Sequence, residues 1–351
     1  MQPIQHTNLR TVKMGGFTLL RYNKPLLDPA LAKYRSVIFQ NDKLVSYTPP
    51  KSLDFEVFKA KYPIGEVRVE EFVDGTMVYA YCVDGTWRVG TRSVYDAATS
   101  YRCGTQVPRF SRTETFYPPA PPLVCDVFRE KVGPDFFESL RQDCVYVFSF
   151  MSPLTFNVVK GDAVYLVATY EIKDNEPRLL EPQLLPGILL PTRHNFSSYE
   201  NIVECADEVP YTCKGFMLHA GGERTKVMST AFVHAKDVLD NQPNINRCLL
   251  KLMREHRENL LLEMYPEYKP NAAQLANHVK TFTNILYGSY LECFVEKKKP
   301  LREYMYKHHL YLLHQHYCMT LRPAKKRINK QEVVTYVAGL HLNQLSAALN
   351  L

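Results

Sequence analysis

The chain has 351 residues, of which 46% are apolar and 23% charged, with a net charge of +7. This is ordinary globular composition, enough for a substantial core in one large domain or two ordinary ones. No run approaches 18 uninterrupted apolar residues and the first residues carry no charged-then-apolar signal pattern, so a soluble, intracellular, cytoplasmic protein with no membrane partner is expected. The nine cysteines are scattered singly, with no Cys-x-x-Cys pair. That pattern argues against a zinc site or a disulfide framework and for reduced thiols in a reducing compartment.

Taken in chain order, residues 1–237 read as a β-rich α+β region. Segments 36–39, 76–82, 87–91, 146–150, 163–169 and 215–219 are rich in Val, Tyr, Phe and Thr, the residues that suit a pleated, half-buried surface. Asp84-Gly85 between two of them is a hairpin signal because the tight turn needs positive φ, so 76–82 and 87–91 are expected to pair antiparallel. The proline run at 118–122 reads as a linker or extended bridge.

Beyond residue 237 the texture changes, and 238–351 is expected to form a small all-helical domain. Leu249, Leu252, Met253, His256, Leu260 and Met264 follow helical spacing, as do Leu275, Val279, Phe282, Leu286 and Phe294. Pro270-Asn271 is a plausible start for the second helix, with Asn271 capping it, and Lys299-Pro300 ends it. A third helix is expected over 301–318. No internal repeat is present.

Several short motifs then fall in a fixed order: Tyr34-Arg35-Ser36-Val37-Ile38-Phe39, Pro50-Lys51-Ser52-Leu53-Asp54, Glu71-Phe72-Val73-Asp74-Gly75-Thr76 and Val89-Gly90-Thr91-Arg92-Ser93. Phe148-Ser149-Phe150-Met151-Ser152-Pro153, Lys214-Gly215-Phe216-Met217, Lys226-Val227-Met228-Ser229 and Met264-Tyr265-Pro266-Glu267-Tyr268 follow. In identity and order these resemble the motifs of T-even phage type RNA ligases, in the ATP-dependent nucleotidyltransferase family, over nearly the whole chain. The resemblance implies an antiparallel-β nucleotidyltransferase domain followed by a helical tail. It also implies a reaction in which a lysine amine attacks the α-phosphate of ATP while basic residues neutralise the phosphates and carboxylates hold metal and ribose.

The departures from that pattern fall on the reacting positions. Phe72 stands where the resemblance places the nucleophilic lysine, and a phenyl ring has no lone pair with which to attack phosphorus. Ser149 and Lys214 replace two glutamates, and Met228 replaces the second lysine of the last motif. A lysine about 4 Å from a divalent ion, at an effective dielectric of ~20, opposes it by roughly 8 kcal/mol before relaxation. Neither metal nor cofactor is therefore expected. Lys59 and Lys61 lie upstream on a segment that the resemblance places away from the pocket, which leaves little room for a displaced nucleophile.

Arg35, Lys51, Asp74, Arg92 and Lys226 are retained. Two readings stay open for them: a residual anion cleft that holds a phosphate or an RNA backbone, or a tight turn at Asp74-Gly75 with solvated or ion-paired basic side chains. The sequence favours the second, because mononucleotide affinity without the lysine and metal is poor.

Residues 297–330 hold ten Lys and Arg against one acid, Glu303, a block that suits an acidic partner or nucleic acid or is simply solvated. His308, His309, His314 and His316 lack the three- or four-residue spacing of a shared helical metal site, so a solvated or aromatic-packed face is expected. The expectation for function is a non-catalytic, RNA ligase-like pseudoenzyme acting with protein partners as a structural or assembly component, by analogy in a virus particle. The alternatives are an RNA- or nucleotide-binding protein using the residual cleft and basic tail, and an active ligase with a displaced nucleophile.

Overall fold

The computed structural model describes residues 1–96, 122–154, 157–240 and 244–351. It is an α+β protein in which antiparallel sheets are followed by an all-helical C-terminal region, and it divides into two compact units at Asp237 and Val238. Most of the proline run, residues 118–121, lies outside the described residues. No helix among the described residues is long and apolar enough to cross a membrane.

The first unit contains three antiparallel sheets. Strands β1 (Leu9–Met14), β2 (Phe17–Tyr22), β3 (Val37–Gln40) and β4 (Lys43–Ser46) form a simple meander. A five-stranded sheet joins β6 (Thr76–Val83), β7 (Thr86–Thr91), β8 (Cys144–Met151), β9 (Ala163–Lys173) and β10 (Glu176–Leu180) in the order β10-β9-β8-β6-β7. The third sheet has the order β11-β5-β12-β13, from β5 (Arg68–Glu71), β11 (Arg193–His194), β12 (Gly215–Ala220) and β13 (Glu223–Met228). Helices α1 (Phe55–Lys61), α2 (Val124–Val132), α3 (Tyr199–Glu208) and α4 (Thr230–Leu239) accompany them.

The period-2 alternation of a strand explains how the central sheet is buried on both faces. Tyr79, Tyr81 and Val147 point to one core with Leu19, Ile38 and Phe39 of the meander. Val78, Ala80, Phe148 and Phe150 point to the other, with Phe128 of α2. Every residue of β8 is buried, which is why its sequence reads as a continuous apolar run rather than an alternating one. In the third sheet Val69, Phe216, Leu218 and Val227 pack against Phe58 of α1 and Ile202 of α3, which turns the alternate residues of β5, β12 and β13 the opposite way.

The expected hairpin is present: β6 and β7 pair antiparallel around Asp84 (φ 51°) and Gly85 (φ 73°), both in the left-handed region that a two-residue turn of this kind requires. The meander's first turn works in the same way at Gly15 and Gly16. Strand β1 escapes a search for Val/Tyr/Phe-rich runs because Arg10 and Lys13 occupy exposed positions in it.

In the second unit, the helical spacing that runs from Leu249 to Met264 is split into α5 (Ile245–Arg254) and α6 (Glu258–Met264). His256 between them has φ 55°, which no continuing helix permits. Helix α7 (Lys269–Tyr290) does carry Pro270 in its first turn, but Asn271 is not its cap. The Asn271 amide instead donates to Asn246 Oδ1 at 3.4 Å. The third expected helix is shorter, α8 (Lys307–His316), extended by a π-helical turn, and α9 (Lys330–Gly339) and α10 (Leu342–Ala348) complete the unit. His314 stacks on Phe294 with ring centroids 3.9 Å apart, and His309 pairs with Tyr336 Oη at 2.9 Å. These two histidines are packed and hydrogen-bonded among aromatic rings.

Phe148 is fully buried, with Phe128 and Phe136 rings at 5.3 and 6.0 Å. Truncation to alanine is expected to lower the stability of the first unit by about 3–5 kcal/mol, read as a shift of its urea unfolding midpoint.

Candidate functional site

The cleft is built from the side of the third sheet that faces away from α1 and α3. Residues directly opposite one another in an antiparallel ladder share a face. The register Glu70–Met217–Lys226 and the neighbouring row Arg68–His219–Arg224 therefore place two lines of side chains on that side. With residues from β2, β6, β8 and the loops around Arg35, Lys51 and Arg92, they enclose a cavity of about 360 Å³, within the usual range for a small-ligand site.

Two glycines allow the sheets to meet there. Gly75 has φ 151°, and a Cβ on it would lie 2.7 Å from Ser149 Oγ and 2.9 Å from the Phe150 carbonyl oxygen. Gly215 has φ 120°, and a Cβ on it would come within 2.2 Å of the Val227 carbonyl oxygen. Each belongs to a motif that also carries a cleft residue, so the close approach and the side chain come from the same short segment.

Of the positions singled out from the sequence, Arg35, Lys51, Phe72, Arg92, Ser149, Lys214 and Lys226 line the cavity. Asp74 sits at its edge and accepts a hydrogen bond from Lys214 Nζ at 2.9 Å. Met228 does not line the cavity; it lies at the end of β13, opposite Gly215. Lys59 and Lys61 lie outside it, ion-paired to Glu200 and Glu223 at 2.6 and 2.7 Å.

Phe72 and Lys214 face each other. The Phe72 amide donates to the Gly215 carbonyl at 2.8 Å, which extends the β5–β12 pairing by one residue. That puts the Phe72 ring 4.2 Å from Lys214 Nζ and 5.9 Å from Lys226 Nζ. The aromatic face attracts both ammonium groups, each contact worth about 0.5–2 kcal/mol according to its desolvation.

Positive charge dominates the lining. Seven Lys and Arg side chains, including Lys24 and Arg224, face two carboxylates, Glu70 and Glu71. Among the described residues, no carboxylate pairs with Arg35, Lys51, Arg92 or Lys226. Burial and repulsion from Arg92 hold the Arg35 guanidinium below its ordinary range. Repulsion from Arg92 does the same to Lys24, and desolvation together with the Lys214 ammonium does so to Lys226. Loss of water and proximity to like charge both disfavour a cation, and a bound anion relieves the second of these.

Arg224, pushed down to about 10 chiefly by burial, has a structural role as well. Its guanidinium donates to the Pro50 carbonyl at 2.8 and 3.1 Å and to that of Pro49 at 3.3 Å, fixing the segment that presents Lys51. The sequence pattern singles out neither Arg224 nor Lys24. The signal for Arg224 is its place two residues before Lys226 on one strand, hence on the same face.

Of the carboxylates at the cavity, Glu71 alone has no ion-pair partner among the described residues, and one carboxylate is a poor site for a divalent metal. Asp74 is taken by Lys214, and Glu70 lies 3.0 Å from Arg68 and 3.6 Å from Arg193. Among the described residues, no three His, Cys, Asp or Glu side chains converge as a metal site.

Comparison with solved structures finds ATP-dependent ligases. An archaeal ATP-dependent RNA ligase is similar at 15% identity over 80% of this chain and 77% of its own, with a TM-score of 0.43. A putative ATP-dependent DNA ligase from Aquifex aeolicus is similar at 16% identity over 77% and 72%, with a TM-score of 0.41. A mutant Naegleria gruberi RNA ligase with AMP and Mn is similar at 15% identity over 64% and 76%, with a TM-score of 0.34. No protein-family model and no curated protein matches the chain. Scores at that level decide nothing about the site, and the case for it rests on its residues.

His219 titrates in a way that reports on this cleft. Burial, with Arg68 and Arg224 alongside, pushes it down to about 3 from an ordinary 6.5. Its Nε2 is 3.5 Å from Glu70 Oε2, but Arg68 already offsets that carboxylate, so the ring stays neutral. The unfolded chain therefore binds a proton here that the folded one does not, and stability falls as pH drops below the unfolded value. Between pH 6.5 and 5, above most carboxylate titration, the slope from this group approaches about 1.4 kcal/mol per pH unit. His219→Gln is expected to remove that part of the slope in urea unfolding measured across this pH range.

Proposed function

We propose that this chain is a nucleotidyltransferase-like protein that no longer forms a lysyl-nucleotide and uses its cleft to hold the phosphates of a nucleotide. One observation carries the reading. Arg35, Lys51, Arg92 and Lys226, which come from four separate motifs, line a single cavity without a carboxylate partner among the described residues. Basic side chains that were merely solvated or structurally paired would have no reason to converge from four segments on one open cleft. Their mutual repulsion is tolerable where an anion completes the site.

The loss of catalysis follows from Phe72, with Ser149 and Lys214 in place of carboxylates. The amines at Lys59 and Lys61 are engaged elsewhere, by Glu200 and Glu223. The T-even type of resemblance, an origin in a virus and an assembly role in its particle extend the same motif resemblance and rest on it alone. No feature of the cleft calls for them.

Two measurements test the proposal. Fluorescence anisotropy with labelled ATP and with a short labelled RNA, over a salt series, distinguishes a mononucleotide from a strand. Changing Arg35, Lys51 and Lys226 together to glutamine is expected to weaken binding by at least about a hundredfold, each charge-assisted contact being worth about 1.5–3 kcal/mol. Binding equal to wild type would remove the cleft as the site. Incubation with α-labelled ATP and divalent metal is expected to leave no covalent band on a denaturing gel, and Phe72→Lys alone is expected not to create one. A robust acid-labile adduct on the unaltered protein would mean an active ligase with a displaced nucleophile.

A further inference from the structure

Metal exclusion at this cleft has a consequence for what it binds. Lys214 and Asp74 are only 17% and 11% exposed, and they form their ion pair at the edge of the cavity. The ammonium is held from more than one side, by the Asp74 carboxylate at 2.9 Å and by the rings of Phe72 and Phe232 at 4.2 and 5.5 Å. An ammonium has three donors. Asp74 takes one, and because Lys214 also lines the cavity, the others are available to an anion there.

A phosphate chain chelated by a divalent ion would bring that ion toward this fixed charge and toward Lys226. Such an ion would meet like charge at close range in a partly desolvated cleft, where Coulomb repulsion is stronger than in water. Mg²⁺ also demands several oxygen ligands in near-octahedral geometry, whereas Glu70 and Asp74 are committed to Arg68 and Lys214, which leaves Glu71 as the one lining carboxylate without an ion pair among the described residues. The cation that phosphate needs is thus already part of the chain.

We propose that the cleft takes a nucleoside triphosphate as the bare anion, without a divalent cation, and that Lys214, backed by Asp74, is the resident cation that neutralises it. This rests on the phosphate-binding reading above. Mg²⁺ and the lysines then compete for the same phosphate oxygens, so added metal weakens binding instead of supporting it.

Calorimetric titration of the full chain with ATP, in EDTA and in millimolar Mg²⁺, tests this. The expected result is higher affinity in EDTA than in Mg²⁺, with no Mn²⁺ site detected by electron paramagnetic resonance when Mn²⁺ is added alone. Lys214→Gln, checked for folding by circular dichroism, is expected to weaken ATP binding in EDTA by about tenfold, or about 1.4 kcal/mol. A gain of about fivefold or more on adding Mg²⁺, or a tight Mn²⁺ site, overturns the metal-free proposal while leaving the cleft a phosphate site. Unchanged affinity in Lys214→Gln overturns the role of that residue. Absence of ATP binding in both buffers overturns the phosphate reading itself. The two metal arms use the unaltered protein, so they decide the question even if the variant does not fold.

Discussion

A surplus of positive charge that the neighbouring carboxylates offset only in part is the constraint on which the cleft depends. Seven cationic side chains line one small cavity, and of these only Lys214 has a carboxylate ion-pair partner, Asp74, among the described residues. A fold keeps such an arrangement only where the surrounding structure holds each group rigidly. Here it is held by a tightly registered antiparallel sheet on one wall, by Arg224 clamped to the Pro49 and Pro50 carbonyls, and by the Phe72 ring against two ammonium groups. The price is visible in the lowered ranges of Arg35, Lys24 and Lys226.

The same wall bears on how chemistry and binding would separate in the proposed reading. There, attack on phosphorus would need an amine at one position and carboxylates at others, and Phe72, Ser149 and Lys214 occupy the positions that the motif resemblance assigns to them. Binding of phosphate needs only donors and charge from several directions. Lys214 places a cation where the motif resemblance has a carboxylate, and Phe72 provides one of the faces that steady it, beside Asp74 and Phe232.

The ordered motifs contain most of the basic residues that line the cavity, and some of them pair a glycine that shapes the backbone with a side chain in or beside that cavity. Asp74-Gly75 and Lys214-Gly215 are the clearest cases, the glycines being fixed by positive φ and by backbone contacts too close for a Cβ. Met228, the last of the departures from the motif pattern, lies at the end of β13 opposite Gly215, and the cavity does not reach it. The helical periodicity past Leu249 overreached, since a spacing count does not register the left-handed residue at His256 that divides α5 from α6.

The order of short motifs, the β-rich and helical textures and the Asp84-Gly85 hairpin are properties of local sequence, set by side-chain periodicity and backbone preference, and the sequence alone determined them. Whether the retained basic residues were paired, solvated or gathered was not legible there, because it depends on which strands become neighbours. Only the tertiary structure decided that Lys214 meets Phe72 and Asp74, that Arg224 and Lys24 join the cleft, and that Lys59 and Lys61 do not. Those outcomes arise from long-range strand register, which places residues far apart in the chain on one face and leaves close neighbours on opposite ones.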